Sequence, residues 1–189
     1  MILLRRSGKH RERGLEVLLV RRNPEARFMP GVWVFPGGAV DDDDGGADEE
    51  ARHRVCAIRE LAEEAGIELA ADAELVPFSR WITPEPVPIR FDTRFYLALA
   101  PAHSPPKPDG SETVDAGWFE PAAALQSCRE GRLQLVFPTI KNLEPLSEYS
   151  NAEEAIAAAR GQTVEPILPR VIGDGEGRKV VIPGQPGYD

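Results

Sequence analysis

Three glutamates stand close together in the segment ARHRVCAIRELAEEAGI, residues 51–67. If this segment is a helix with 100° per residue, Glu60, Glu63 and Glu64 fall within an arc of about 100°. With a rise of 1.5 Å per residue, their Cα atoms lie within about 6 Å of one another along the axis. Carboxylate oxygens are the ligands that Mg²⁺ and Mn²⁺ prefer in proteins. The cluster therefore predicts a site for a divalent cation.

The opposite side of the same helix is apolar, which predicts that it faces the core. This apolar stripe consists of Val55, Ile58, Ala62 and Ala65. By periodicity alone, the glutamates fit a solvated acidic face equally well. A cation is favoured because Glu60 and Glu64 are a like-charge pair one turn apart, which costs a few tenths of a kcal/mol. The C-terminal end of a helix also disfavours negative charge. Arg59 could pair with Glu63 and neutralise only part of the cluster, so both interpretations stay open on physical grounds.

The elements that must position this helix follow from the apolar runs and the turns between them. Strand candidates are the hairpin ILLRR and LEVLLVRR, then VWVFPGG, ELVPFSRWI, RFDTRFYLALA and GWFE. The acidic helix is predicted from about Glu49 to Ala65 and is stopped by Gly66. Further helices are predicted at about 122–129, at 139–148 and after Asn151, an N-cap residue. The tail TVEPILPRVIGDGEGRKVVIP predicts a final hairpin or an extended arm. Strands interleaved with helices, with no visible boundary, indicate a single α/β or α+β domain with a mixed sheet.

The composition bears on the class of partner. The chain has 189 residues, 42% of them hydrophobic, and 31 acidic against 22 basic residues give a net charge of −9. Such a charge repels polyanions, so no nucleic-acid partner is expected. No run approaches the roughly 18 apolar residues of a membrane span. Two cysteines, Cys56 and Cys128, imply no disulfide framework and indicate a reducing cytoplasm. A small anionic ligand is compatible with this charge if metal ions and local arginines reverse the sign at one site.

The acidic helix also resembles a known signature. Arg59-Glu60-Leu61-Ala62-Glu63-Glu64-Ala65-Gly66-Ile67 matches the second half of the Nudix box, REUxEExGU, and Phe35-Pro36-Gly37-Gly38 resembles the turn that opens it. The first half departs from the signature, because its glutamate falls on Ala51 when counted back from Arg59. Counted forward from Gly38, the position is Asp44, which implies an insertion of about seven residues ahead of Arg59. Asp44 is only a weak substitute for that glutamate, and Asp41 to Asp44 are expected to form a solvated loop.

A second pattern lies just upstream and resembles the coenzyme A diphosphatases of the same superfamily. Their segment LL-x2-R-[SA]-x3-R-x3-G-x3-FPGG is met from Leu18 to Gly38, with Arg22, Arg27 and Gly31 in place. The one departure is Asn23 at the Ser/Ala position. The insertion after FPGG and the string RWITPEPVPIRFDTRFYLA are similar to the branch that holds mammalian organellar coenzyme A diphosphatases and their bacterial relatives. The resemblance covers roughly residues 15–160.

This resemblance implies a Nudix-type α/β/α sandwich over residues 1–189, with extra C-terminal helices and an arm from about residue 134. It implies an Mg²⁺- or Mn²⁺-dependent hydrolase that cleaves coenzyme A or acyl-coenzyme A to a 4′-phosphopantetheine species and adenosine 3′,5′-bisphosphate. A Nudix diphosphatase for ADP-ribose, NADH or an NTP is the alternative, and a non-catalytic nucleotide sensor is a third. A homodimer formed by exchange of the C-terminal arm is left open.

The resemblance also assigns roles to individual residues. The metal ligands are expected to be Glu60, Glu63, Glu64 and a carbonyl of the Gly37-Gly38 turn. The catalytic residues are expected to be Glu60, Glu63 and Glu112, with Asp115 behind Glu112. The substrate-binding residues are expected to be Arg22, Arg27, Arg90 and Arg94 for phosphates, and Trp81 (with Trp33 and Phe95) for stacking on adenine. Ion-pairing fits each arginine, and packing in the core fits each aromatic, as an alternative. Arg59 is expected to brace the glutamates, and Cys56 to be a small helix residue.

Overall fold

The computed structural model describes residues 1–7, 14–85, 87, 89–173 and 178–188. Its strands are β1 (Ile2–Arg6), β2 (Leu15–Arg22), β3 (Trp33–Val34), β4 (Val76–Ile82), β5 (Asp92–Leu99), β6 (Thr113–Phe119), β7 (Pro166–Ile167), β8 (Arg170–Ile172) and β9 (Lys179–Val181). Its helices are α1 (Glu49–Ala65), α2 (Pro121–Arg129), α3 (Phe137–Leu146) and α4 (Ala152–Ala159). The predicted elements are confirmed, with ends that differ by a few residues.

Seven strands form one mixed sheet. β1 and β3 pair antiparallel with β2, and β6 pairs antiparallel with β2 over its length. β5 runs parallel to β1, β4 runs antiparallel to β5, and β7 adds a parallel strand beside β4. The β2–β6 register shifts between Arg21 and Arg22, at the end of β2 that leads toward the glycine turn. Such irregularities re-aim the side chains that follow them.

The two faces of the sheet bury two separate apolar clusters, because successive residues of a strand point to opposite faces. On one face, Leu3, Leu18 and Val20 pack with Leu61 and Ala65 of α1. The other face packs against α2, α3 and α4. Its cluster includes Ile2, Leu4, Val17, Leu19, Ala124, Leu143, Leu146, Ala155 and Ile156. Helices on both faces of a mixed sheet make the α/β/α sandwich that the sequence predicts.

Helix α1 has defined caps at both ends. The Asp48 side chain accepts a hydrogen bond from the Ala51 amide, and Gly66 ends the helix in the left-handed conformation with φ 62°. Glycine fits this end because a side chain at positive φ would be strained. Helix α4 is capped in the same way by Asn151, whose side chain accepts from the Glu154 amide. The cap predicted at Asn151 is therefore confirmed.

The prediction of which side of α1 faces the core is only partly confirmed. Ala65 is buried and Ile58 packs on the apolar cluster, but Val55 is 41% exposed and Ala62 is half-buried. The buried positions are Cys56, Ala57, Glu60, Leu61, Glu64 and Ala65. The buried side thus includes two of the glutamates. Burial of charged groups is tolerated only when they are hydrogen-bonded or paired, and the contacts of Glu60 and Glu64 described below supply those partners.

The tail forms a small antiparallel sheet of β8 and β9, as the predicted hairpin requires. The turn proposed at residues 174–177 and the first hairpin turn at residues 8–13 lie outside the described residues. Within the described part of the chain, no helix has the length and apolar character needed to cross a membrane.

Candidate active site

The glycine turn before Ala39 lies directly against the acidic side of α1. The Gly37 amide donates a hydrogen bond of 2.8 Å to Glu64 Oε2. A Cβ placed on Gly38 would meet the carboxylate of Glu60, so a larger residue here would push the end of that side chain aside. The backbone of the turn thus approaches Glu60 closely, as glycine allows. The sequence prediction that Gly38 adjoins the glutamates agrees with this position.

Arg59 holds four carboxylates at once. Its Nε and Nη2 donate to Asp44 Oδ1 and Oδ2, each at 2.9 Å. Its Nη1 donates to Glu60 Oε1 and to Glu63 Oε2, each at 2.8 Å. Asp41 lies 3.5 Å from Nη2 as an ion pair. Sequence reasoning gave Arg59 a bracing role through Glu63, and the structure adds Glu60 and Asp44 to that role.

The burial of Asp44 corrects the prediction that residues 41–44 form a solvated loop. Asp41, Asp42 and Asp43 are exposed, whereas Asp44 is only 3% exposed. Its Oδ2 also accepts a hydrogen bond of 2.8 Å from the Asp41 amide, which closes the loop. The hydrogen bonds from Arg59 lower the pKa of Asp44 to about 2. The acid reached by counting forward from Gly38 is thus the partner of Arg59, although seven extra residues precede the helical motif.

Burial and mutual repulsion raise the pKa values of the two buried glutamates, Glu60 and Glu64. Burial raises the pKa of Glu64 to about 7, and the nearby charge of Glu60 adds to this, against the opposing effect of the Gly37 amide. Burial also raises the pKa of Glu60, and the charges of Glu63 and Glu112 contribute. Glu63 is the exposed member of the cluster, with 58% of its side chain accessible. A region that gathers acidic groups in this way attracts a cation.

The loop that carries Glu112 is fixed by hydrogen bonds beside the cluster. The Asp109 carboxylate accepts from the amides of Ser111, Glu112 and Thr113 at 2.5, 2.8 and 3.0 Å. The hydroxyl oxygen of the buried Thr113 lies 2.7 Å from the Glu64 carbonyl and 2.9 Å from Asp109 Oδ2, so its single hydrogen can be donated to either. Burial opposes ionisation of Asp109, but these hydrogen bonds hold its pKa well below the usual range. Glu112 itself is exposed, and its charge acts on Glu60.

Asn23 joins the end of β2 to this loop. Its Nδ2 donates to the Ser111 carbonyl at 2.7 Å, and its amide donates to the Glu112 carbonyl at 2.8 Å. The asparagine counted as a departure from the coenzyme A pattern therefore has a structural role. Sequence reasoning missed Asn23, Asp109 and Thr113 because their partners are backbone groups, which leave no pattern of side-chain types.

Three of the four arginines assigned to substrate make no ion pair within the described residues: Arg22 at the end of β2, and Arg27 and Arg90 outside the strands and helices. Arg22 donates from Nε to the Phe28 carbonyl at 3.3 Å, and its charge opposes the rise in the pKa of Glu64. Arg27 is exposed, and Arg90 donates from Nε to the Thr83 carbonyl. Arg94 differs.

Arg94 forms ion pairs with the first turn of α1, because Nη1 lies 2.8 Å from Glu50 and Nη2 lies 2.5 Å from Glu49. It holds β5 to α1, and its assignment to substrate phosphates is corrected to this structural role. Trp81 is corrected in the same way: it is 5% exposed, its Nε1 donates to Ser79 Oγ, and its ring packs edge-on against Phe137. It cannot stack on adenine from this position.

The two other candidate aromatic residues also pack against neighbouring rings. Trp33 packs against Phe119, and Phe95 against Phe35, both edge to face. Cys56 is buried, its Sγ donates to the Ala39 carbonyl at 3.3 Å, and burial raises the pKa of the thiol to about 11. A thiol with this pKa is a poor nucleophile at neutral pH, as expected for a small helix residue.

The donors at this site fit a hard divalent cation. Glu60, Glu63 and Glu64 offer carboxylate oxygens beside a glycine turn whose missing Cβ leaves room at Glu60. Among the described residues, no group of three or more His, Cys, Asp and Glu side chains is already arranged around one point. The reason is Arg59, whose Nη1 lies between Glu60 and Glu63. Binding of a cation therefore requires these side chains to turn from Arg59, while Asp44 retains the guanidinium.

Comparison with known proteins shows which family the chain belongs to. The family model described as "NUDIX domain" matches residues 1–137, which include the glycine turn, α1 and the Glu112 loop. The chain belongs to the NUDIX domain family. Nudix hydrolases are generally dependent on divalent metal ions, in agreement with the donor set.

Individual relatives extend over more of this Nudix chain. The crystal structure of a NUDIX hydrolase from Alicyclobacillus acidocaldarius has 28% identity and a TM-score of 0.74, covering 87% of this chain and 94% of that one. Nudix hydrolase 7 of Caenorhabditis elegans is 29% identical, covering 82% of this chain but 63% of its own length. The human acyl-coenzyme A diphosphatase NUDT19 is 22% identical over 93% of this chain and 72% of its own. The Nudix chain thus spans less than two thirds of the nematode relative.

Proposed function

We propose that this Nudix domain is an Mg²⁺- or Mn²⁺-dependent diphosphatase that hydrolyses coenzyme A or its thioesters. The products would be a 4′-phosphopantetheine species and adenosine 3′,5′-bisphosphate. The observation that carries the proposal is that Arg22, Arg27 and Arg90 form no carboxylate ion pair in the described residues, while the charge of Arg22 acts on the buried Glu64. In a chain with a net charge of −9, cationic side chains without acidic partners suit an anionic ligand.

The relatives and the sequence pattern support this choice of substrate. Arg22 and Arg27 occupy the two arginine positions of the coenzyme A pattern, and the chain continues from them through β3 to the glycine turn. The named acyl-coenzyme A diphosphatase is a distant relative. A diphosphate ligand placed between the arginines and the glutamates would bridge cationic and metal-binding groups.

The protein contributes charge and position rather than covalent chemistry. A bound cation would neutralise phosphate charge and lower the pKa of a coordinated water. Glu60, Glu63 and Glu64 would hold it, with a carbonyl of the Gly37-Gly38 turn. Arg22 and Arg27 would orient the phosphates for attack by water on one phosphorus.

The proton released by that water needs an acceptor. Glu112 fits this role because it is exposed on a loop fixed by Asp109 and its charge reaches Glu60. As water adds to phosphorus, the bond from that phosphorus to the bridging oxygen breaks, and the proton passes to the carboxylate. The second phosphate leaves with the bridging oxygen.

The direct test is a substrate panel with Mg²⁺ or Mn²⁺, containing coenzyme A, acetyl-coenzyme A, ADP-ribose, NADH and dATP, with products identified by mass. We expect the coenzyme A compounds to be hydrolysed with the highest kcat/KM. Faster turnover of ADP-ribose, NADH or dATP would favour another Nudix diphosphatase activity, and binding without turnover of any compound would favour a nucleotide sensor.

Two variants test the metal-binding residues. Glu63→Gln and Glu64→Gln should abolish turnover and leave the circular dichroism spectrum intact. Glu68→Gln, an exposed glutamate just after the helix, is the matched control and should keep wild-type activity. Full activity in either site variant would remove the metal assignment.

The organisation of the chain is part of the proposal. We propose that residues 1–189 form one domain, in which the helices and the arm after about residue 134 complete the side of the sheet opposite α1. The apolar cluster shared by the sheet with α2, α3 and α4 supports this. A cytoplasmic location, the absence of a nucleic-acid partner and a homodimer remain predictions.

A further inference from the structure

Four apolar side chains, here called the apolar rim, lie on two loops that meet at Phe28 and Phe91: Phe28, Met29, Ile89 and Phe91. The rings of Phe28 and Phe91 are in contact, with centroids 5.9 Å apart and planes tilted by 54°. Met29, Ile89 and Phe91 are 41%, 54% and 46% exposed. Apolar residues gathered at an exposed position often mark a binding surface. The other large exposed apolar residues, such as Val55 and Leu99, lie on α1 and at the far end of β5.

Hydrogen bonds hold both loops of the apolar rim in place. Thr83 and Phe91 are joined by two hydrogen bonds of 2.9 Å, one from the Thr83 amide to the Phe91 carbonyl and one from the Phe91 amide to the Thr83 hydroxyl. Met29 has a φ of 48°, in the left-handed region that non-glycine residues rarely adopt. Such a conformation persists only where the surrounding structure holds the residue. Because Met29 and Phe91 are held in place, a ligand that rests on them orders little additional chain.

The apolar rim continues directly into the candidate active site. Arg22 donates to the Phe28 carbonyl at 3.3 Å. Asn23, at the start of the same loop, is bonded to the carbonyl groups of Ser111 and Glu112. The loop that follows β2 therefore connects the Glu112 segment, Arg22 and the apolar rim. Arg27 and Arg90 immediately precede Phe28 and Phe91 in the chain. Cationic groups beside apolar ones suit a ligand with a phosphate head and an apolar tail.

We infer that the apolar rim contacts the acyl chain of a coenzyme A thioester, and this rests on the proposed function. The phosphates would lie at the arginines and the glutamates, and the tail would extend over Phe91 and Ile89. Full burial of one methylene strengthens binding about fourfold, so a methylene that rests on an open surface strengthens binding about twofold. With three or so methylenes in contact, the specificity constant for octanoyl-coenzyme A would exceed that for acetyl-coenzyme A by about tenfold.

The test compares kcat/KM for acetyl-, butyryl-, hexanoyl- and octanoyl-coenzyme A in the wild-type protein and in three variants. Phe91→Ser and Ile89→Ser remove apolar surface from the rim. Leu99→Ser is the matched control, because Leu99 is 48% exposed at the far end of β5 and lies eight residues, or roughly 26 Å, from Phe91. We expect the octanoyl-to-acetyl ratio to fall from about tenfold to about twofold or less in the rim variants, through KM, and to stay unchanged in Leu99→Ser.

The outcomes separate this inference from the proposed function. Hydrolysis of all four thioesters with the same ratio in the wild type and in Ile89→Ser would overturn the acyl contact and leave the diphosphatase activity standing. Hydrolysis of ADP-ribose or dATP but of no coenzyme A compound would overturn both. Because Phe91 also packs on Phe28, the more exposed Ile89 tests the rim if Phe91→Ser fails to fold. A second measurement uses vesicles of phosphatidylcholine and phosphatidylglycerol. Vesicle binding that is lost in Ile89→Ser, with an unchanged octanoyl-to-acetyl ratio, would assign the rim to a lipid surface and overturn the inference.

Discussion

Replacing Asp44 by asparagine should destabilise the protein by an amount that depends on pH. In the folded state the Asp44 carboxylate accepts two hydrogen bonds from Arg59 and one from the Asp41 amide. These contacts lower its pKa from 3.8 to about 2. At about 1.4 kcal/mol per pKa unit, the charged carboxylate stabilises the folded state by about 2 kcal/mol at neutral pH.

The sign follows from the lowered pKa. An acid whose folded pKa lies below its unfolded value contributes its full stabilisation above the unfolded pKa, and that stabilisation is lost as the pH falls through the folded pKa. The contribution of Asp44 should therefore be complete at pH 6 to 7 and reduced to about half at about pH 3. An asparagine keeps the shape of the side chain but not the charge, so the variant lacks this pH-dependent part.

The assay is urea denaturation of wild type, Asp44→Asn and Asp43→Asn from pH 7 down to the lowest pH at which all three fold. Asp43→Asn is the matched control, since it removes the same charge from the same loop at an exposed position. We expect a difference of about 2 kcal/mol for Asp44→Asn at pH 7 and less than about 0.5 kcal/mol for the control. Equal effects of the two substitutions, or a difference for Asp44→Asn that stays constant with pH, would refute the role of the Arg59 contact. The carboxyl resonance of Asp44, followed by NMR, gives its folded pKa independently.

Three further predictions concern the interior of the site and the core. Without divalent ions, in EDTA, Glu64→Gln should be more stable than wild type by about 3 kcal/mol at pH 8, because burial raises the pKa of Glu64 from 4.5 to about 7 and charging it in the folded state opposes folding. The gain should vanish below about pH 4.5, and a wild type that is the more stable at pH 8 would contradict it. Asp109→Asn should lower kcat roughly tenfold with little change in KM, because the loop that carries Glu112 loosens and a small misplacement of Glu112 slows the reaction. An unchanged kcat would show that the loop does not need the hydrogen bonds of Asp109. Trp81→Phe should reduce stability by about 1–2 kcal/mol through lost packing and a lost hydrogen bond and leave KM unchanged, whereas a large rise in KM would place Trp81 at the substrate after all.

The sequence was sufficient for elements whose signals are local. The residues that begin and end α1 are readable because a cap at Asp48 and a glycine at residue 66 act within one turn of the helix. The continuous apolar runs of β1 and β2 likewise indicate strands buried on both faces, and Leu3 and Leu4 do reach opposite clusters. The sequence also determined the donor chemistry of the candidate site, because three glutamates at helical spacing share an arc whatever surrounds them.

Tertiary structure decided which side of that helix is buried. The apolar stripe through Val55 and Ile58 predicted the core side, yet the side with Leu61 packs into the apolar cluster of the sheet and takes Glu60 and Glu64 inward with it. The Gly37 amide, 27 residues upstream of Glu64, and the Arg59 guanidinium, adjacent to Glu60, are the hydrogen-bond partners of the two carboxylates. Asp44 reaches Arg59 from 15 positions away in the sequence, across an insertion that no spacing rule describes. Helical periodicity reports only how side chains are distributed around an axis, and the choice of the buried side depends on packing and hydrogen-bond partners that only the folded chain brings together.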